Sequence, residues 1–141
     1  MPLEHCFNLE LRKSARLITQ FYESYLSEIG LKVGQYSILR AVHLLKQTTS
    51  KELQLILVLD QTTLSRNLKP LVRDGLLDLS VDEKDHRVKL ISLSEEGKKT
   101  YLTALPLWEK AQNEIKKKLG ENDVYKIVQL SDKLSKTLNI N

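Results

Sequence analysis

Cysteine occurs once in this 141-residue chain, at Cys6, so no internal disulfide can form and a reducing compartment is the expected setting. No apolar run approaches the roughly 20 residues of a membrane span. The start carries no basic, apolar and small-residue succession of a secretory signal. A cytoplasmic location without membrane attachment is therefore expected. The three histidines, His5, His43 and His86, lack metal-ligand spacing with one another or with Cys6, so no metal is expected. The five glycines form no phosphate-cradling loop, and most sit where helices end. No acid, base and nucleophile are paired for catalysis, so neither an enzyme nor a cofactor is expected. What remains is ordinary globular composition, 41% hydrophobic and 28% charged, enough for one domain with a proper core. The net charge of +4 favours polyanionic partners.

The most informative stretch is 60–93, DQTTLSRNLKPLVRDGLLDLSVDEKDHRVKLISL. Asp60 is a good N-cap, and Leu64, Leu68, Leu71 and Val72 recur at helical spacing. Thr62, Arg66, Lys69 and Arg73 take the opposite side, with Thr63 and Ser65 on the flanks. Gly75 supplies a left-handed end. The period then changes to two: Leu77, Leu79 and Val81 alternate with polar residues, as do Val88 with Leu90 and Ile91 with Leu93. The charged DEKDHR between them suits a turn. A helix feeding a hairpin with a polar, partly basic tip is the C-terminal half of a winged helix-turn-helix. Hydroxyls and Arg on the open face suit phosphates and base edges in a major groove, and an Arg at a wing tip suits a narrow minor groove. Asp85, two residues before Arg87, is placed to orient that guanidinium.

The rest of the chain reads as helices. Residues 8–29 form a long one with a seam of Leu11, Ala15, Ile18, Tyr22, Tyr25 and Ile29, ended by Gly30. Residues 35–46 form a second through Tyr36, Leu39, Val42 and Leu45. Thr49-x-x-Glu52 is a capping box opening a short third helix. LQLILVL at 53–59 has the apolar density of a buried strand, but its place between two N-caps argues for a helix and a tight turn. Pro70 predicts a bend after Lys69. Ser94 caps a long fifth helix through Tyr101, Leu105, Trp108, Ala111 and Ile115, bent at Pro106 and ended by Gly120. Residues 122–138 give a sixth, with Val124, Ile127, Leu130, Leu134 and Leu138 as its stripe.

Taken together, DQTTLSR, LKPLVRDGLL, the Asp85-x-Arg87 wing, LSEEG and GLKVGQYSILRAV at 30–42 resemble the MarR family (multiple antibiotic resistance regulators) over nearly the whole chain. The resemblance implies a mainly α fold with a small β-hairpin wing. It also implies one domain over 1–141, with helical dimerisation regions at 1–34 and 100–141 and a winged-helix lobe at 35–99. It further implies a homodimeric, usually repressing regulator of double-stranded DNA. Its DNA contacts would be Gln61, Thr62, Thr63, Ser65, Arg66 and Lys69 on the helix and Lys84, Asp85, Arg87 and Lys89 in the wing. A two-fold dimer would set two recognition helices about 34 Å apart, on a near-palindromic operator. The Leu3–Phe7 lead-in would reach the other subunit. A small-molecule effector would sit near Arg16, Gln20, Tyr36 and Arg40, an aromatic acid by analogy with relatives.

Gln54 and Val58 depart from the family pattern, which has a small residue and then a turn glycine. Valine tolerates positive φ poorly, so another turn conformation is expected there. Cys6-Phe7-x-Leu9 resembles the start of the family's organic-hydroperoxide sensors. Tyr36 matches one of the tyrosines that hold their thiolate, while Val33 replaces another. Cys6 is then either a redox sensor or a cysteine without chemical role. The charges within 61–99 nearly balance, eight Lys/Arg against seven Asp/Glu, which leaves open a second reading as a winged-helix module that binds protein instead of DNA.

Overall fold

The computed structural model describes residues 4–138. Six helices and one hairpin follow one another: α1 Phe7–Leu26, a 3-10 turn Ser27–Ile29, α2 Val33–Leu45, α3 Ser50–Leu57, α4 Gln61–Arg73, β1 Leu77–Val81, β2 Lys89–Leu93, α5 Glu95–Leu119 and α6 Glu121–Thr137. The mainly α architecture with a β-hairpin wing and long terminal helices is thus as the sequence suggests. Leu3, at the start of the expected lead-in, lies outside the described residues.

Local chemistry sets most boundaries. Thr49 Oγ1 accepts from Glu52 N–H at 3.2 Å, the forward half of the expected capping box. Asp60 Oδ1 accepts from Thr63 N–H at 2.7 Å, and Ser94 Oγ from Gly97 N–H at 3.0 Å. Each bond satisfies an N–H that the first helical turn leaves without a partner. Gly30 and Gly75 adopt left-handed φ of 70° and 75° and end their helices. α4 runs unbroken across Pro70, which has no N–H to offer the Arg66 carbonyl.

Val58 corrects one expectation. It sits at φ 52° and ψ 54°, the left-handed conformation valine was expected to avoid. The turn is held from both sides, because the Gln54 carbonyl accepts from the N–H groups of Val58 and Leu59 while Asp60 caps the next helix. The Val58 side chain is 76% exposed, so the branched Cβ meets solvent and not a neighbour. The strain of a left-handed non-glycine residue, about 1–2 kcal/mol, is carried by these contacts.

The core lies where α2, α3, α4 and the wing meet α5. Leu39, Val42, Leu53, Leu64, Leu71, Ile91 and Ala104 are all essentially inaccessible. Burying each large aliphatic side chain contributes roughly 1.5–3 kcal/mol. The strands pair antiparallel with Leu77 opposite Leu93 and Leu79 opposite Ile91. Only the base of the β1 face is covered: Leu77 is buried, while Leu79 and Val81 stay about half exposed. Thr48 adds a third pairing position the sequence does not advertise, exchanging backbone hydrogen bonds with Ile91 at 2.9 and 2.7 Å. A single bridging residue has no alternation to betray it.

Gly97 is required where α5 leaves the wing. A Cβ there would lie 2.0 Å from the Leu76 carbonyl oxygen. That carbonyl accepts from Ser94 N–H at 3.1 Å, and Ser94 Oγ donates to the Gly75 carbonyl at 2.5 Å. The end of α4, the base of the hairpin and the first turn of α5 therefore share one junction. From it α5 runs back along α1, where the Tyr22 hydroxyl donates to Gln112 Oε1.

Candidate nucleic-acid interface

The outward face of α4 is polar because its apolar stripe is used inside. Leu64 and Leu71 are buried and Leu68 and Val72 half-buried, which turns Gln61, Thr62, Arg66 and Lys69 outward. Thr63 and Ser65 are half-exposed on the flanks. Among the described residues, the ion pairs include neither Arg66 nor Lys69, so both guanidinium and ammonium are available to a polyanion. Arg73, further along, pairs with Asp74 at 3.2 Å. The Asp60 carboxyl, accepting from Thr63, is held below the usual carboxylate range, with Arg66 adding to the effect. It thus keeps its capping charge at neutral pH.

The wing tip is built by short-range bonds. Asp82 Oδ1 accepts from Lys84 N–H at 2.9 Å, and the Asp85 carbonyl accepts from Val88 N–H at 3.0 Å. Asp85 also takes Arg87 in a fork, Oδ1 from Nε at 3.1 Å and Oδ2 from Nη2 at 3.3 Å. These bonds hold the Asp85 carboxyl below its ordinary range. The Arg87 side chain is 90% exposed, so the fork aims a guanidinium into solvent instead of neutralising it in a core. Lys84 and Lys89 are exposed on either side.

The fold also holds a second candidate site. A cavity of about 430 Å³ opens between α1, α2, α3 and α5. Its walls include Ile18, Tyr22, Tyr36, Arg40, Ile56 and Trp108. Arg40 lies over the Trp108 ring at 5.2 Å, and Tyr36 stacks between Trp108 and Tyr101 with centroids 5.9 and 5.8 Å away. The Tyr36 hydroxyl is buried with no hydrogen-bond partner among the described residues. Burial, with Tyr101 beside it, raises its pKa well above the ordinary tyrosine value. Such a site can take a flat apolar body and offer the Arg40 cation to its polar group.

Of the four residues expected at an effector cleft, Tyr36 and Arg40 line this cavity and Arg16 and Gln20 do not. Ile18 and Tyr22 mark the cavity side of α1. A step of two residues turns a helix by about 200°, so neither Arg16 nor Gln20 shares the direction of Ile18, and both are exposed. Trp108, far along the chain, was read only as a helix residue, and nothing local to it signals that α5 brings it to Arg40. Cys6 is exposed at the N-cap position of α1 and is not part of the cavity wall.

A capped helix presenting hydroxyls and cations, docked on a buried three-helix core and followed by a basic-tipped hairpin, defines a winged helix-turn-helix protein. The MarR family model matches residues 29–88. The transcriptional regulator BilQ of Clostridium symbiosum is 25% identical over 119 residues, 84% of this chain and 83% of that protein. The organic hydroperoxide resistance transcriptional regulator of Bacillus subtilis is 33% identical over 97 residues, 69% of this chain and 66% of that protein. The Mycobacterium tuberculosis regulator MOSR, solved in complex with DNA, superposes with a TM-score of 0.82 at 29% identity, covering 96% of this chain and 100% of that one. The chain belongs to the MarR family of winged-helix transcriptional regulators.

Proposed function

We propose that this protein is a cytoplasmic, homodimeric repressor that binds a near-palindromic operator and is released by a small-molecule ligand or an oxidant. The observation that carries the reading is the outward face of α4, where the hydroxyls of Thr62 and Ser65 lie with Arg66 and Lys69, two cations without ion-pair partners among the described residues. MOSR, which shares the fold along its whole length, is known bound to DNA. Gln61, Thr62, Thr63, Ser65 and Arg66 would read the major groove and Lys69 a phosphate. Lys84, Arg87 and Lys89 would serve the wing, with Asp85 as the orienting residue. The division into a lobe at 35–99 and dimerisation regions at 1–34 and 100–141 belongs to the same proposal. The ligand would be an aromatic acid, its body on Tyr36 and Trp108 and its carboxylate at Arg40. Release requires that ligand to bind the DNA-incompetent dimer more tightly than the competent one.

The test is selection of duplexes from a random pool, with affinities re-measured across salt. Arg66→Ala is expected to cost about 1–3 kcal/mol and relax sequence preference. Lys69→Ala is expected to weaken all duplexes alike and flatten the salt slope by about one ion. Equal affinity for selected and random DNA in the parent protein would overturn the proposal and leave the protein-binding reading. An aromatic acid that binds equally well with and without operator would overturn the ligand switch. For the oxidant, Cys6→Ser releasing DNA on peroxide treatment as the parent does would remove Cys6 from the mechanism.

A further inference from the structure

The turn between α3 and α4 carries a side-chain relay. Gln54 donates through Nε2 to Gln61 Oε1 at 2.5 Å. Gln61 in turn donates through Nε2 to Ser65 Oγ at 3.0 Å. The backbone from which Gln54 reaches is held in place, because its carbonyl closes the Val58 turn by accepting from Val58 and Leu59. One of the two residues at which this chain departs from the family pattern, Gln54, is therefore the one that grips the first residue of α4.

A primary amide has two acceptor lone pairs on oxygen and two N–H donors on nitrogen. In Gln61 one of each is engaged inside the protein. One acceptor and one donor remain, on an amide held by a bond at each end. In the major groove, adenine offers an N6–H donor next to an N7 acceptor, the complement of that pair. Guanine offers two acceptors, and thymine and cytosine offer a single acceptor or donor, so each leaves part of the amide unmatched. Gln61 is also exposed, at the end of α4 that a helix-turn-helix brings to base edges.

We propose that Gln61 reads one adenine in each half-site through Oε1 and Nε2, and that Gln54 is a positioning residue that decides which way round the amide is presented. The inference rests on the DNA-binding reading above. Ser65 follows either direction, since a hydroxyl can donate or accept. The direction is set by the Gln54 amide, which turns its Nε2 to Gln61 Oε1.

The experiment is duplex selection from a random pool with the full chain, in parallel for the parent, Gln61→Ala, Gln54→Ala and Gln54→Glu, with thermal melting as the control for folding. The parent should select a site with one adenine per half that Gln61→Ala no longer prefers. Discrimination at that position should fall on the order of 10-fold, the scale of one bidentate base contact. Gln54→Ala should lose the same preference while every other position keeps its own, which a merely structural role would not produce. Gln54→Glu, nearly the same shape but able only to accept, should turn the Gln61 amide round and likewise abolish the adenine preference. Retention of that adenine by Gln54→Ala and Gln54→Glu would overturn the positioning role. A selected site indifferent to Gln61→Ala would overturn the base reading while leaving the regulator intact. A parent that selects nothing would overturn the proposed function, and this inference with it.

Discussion

The winged lobe and the terminal helices of this chain are finished to different degrees. In the lobe, α2 alone buries Tyr36, Ile38, Leu39 and Val42, and α4 buries both Leu64 and Leu71. By contrast, α1 buries only Leu26, and α6 buries nothing among its described residues. Phe7 and Leu17 on α1 stand open, as do Tyr125, Ile127, Val128 and Leu130 on α6. Both regions have helical apolar periodicity, so sequence pattern alone does not distinguish them. What differs is whether the apolar face finds a partner within the same chain. A helix that keeps a regular stripe without covering it is built for a second surface, and a second copy of the chain is the occupant the proposed function requires.

The contrast can be broken most strongly from the helical side. Ile127→Asp with Leu130→Asp should convert dimer to monomer by analytical ultracentrifugation, since each side chain removed from burial forfeits roughly 1.5–3 kcal/mol on each subunit. The lobe should keep its circular dichroism and near-ultraviolet signals. A variant that stays dimeric would show that α6 is not at the interface. On the other side, Gly97→Ala should destabilise the lobe by about 3 kcal/mol or more, because the new Cβ meets backbone instead of a movable side chain. Denaturant unfolding reads this directly, and an unchanged midpoint would mean that the junction is looser than its geometry.

Smaller effects sharpen the comparison. Burial keeps the Tyr36 proton on in the folded state, whereas the unfolded chain releases it near the ordinary value of 10.0. Below that pH the two states hold the same proton and no difference arises. Above it, stability should fall as pH rises, by at most about 1.4 kcal/mol per pH unit for this one group. Tyr36→Phe should remove that share of the slope, measured by melting between about pH 9 and 11 around this ordinary value. The smallest expected effect is a gain. Val58→Gly should stabilise by roughly 0.5 kcal/mol, the relief of left-handed strain less the extra freedom of unfolded glycine. A melting temperature that drops would mean that the exposed valine packs against something it does not touch in this fold.

The parts legible in the sequence were those fixed by neighbours in the chain. Asp60, Thr49 and Ser94 each cap a helix through a bond to the residue three positions on, so they mark boundaries without tertiary context. The wing followed in the same way from alternation and from the Asp85–Arg87 pair. Val58 was misjudged because the preference of an isolated valine was weighed without the carbonyl of Gln54 and the cap at Asp60, which hold the turn together. Arg16 and Gln20 are expected at a cleft by family analogy, whereas the cavity of this structure is lined on α1 by residues that include Ile18 and Tyr22. The Thr48 bridge and the meeting of Arg40 with Trp108 are both long-range, and neither leaves a local signature.

The close approach at Gly97 has a mechanical consequence. Because the Leu76 carbonyl, Ser94 and Gly97 lock the first turn of α5 to the root of the hairpin, wing and helix can only move together. A 25-residue helix is about 37 Å long, so a tilt of about 3° displaces one end by about 2 Å relative to the other. α5 is in effect a crank, with its handle among the terminal helices and its tool head at the wing. In the proposed dimer, the angle at which two subunits clasp each other would be geared to the spacing of their recognition helices, and a change too small to disturb the clasp would be enough to put a groove out of reach.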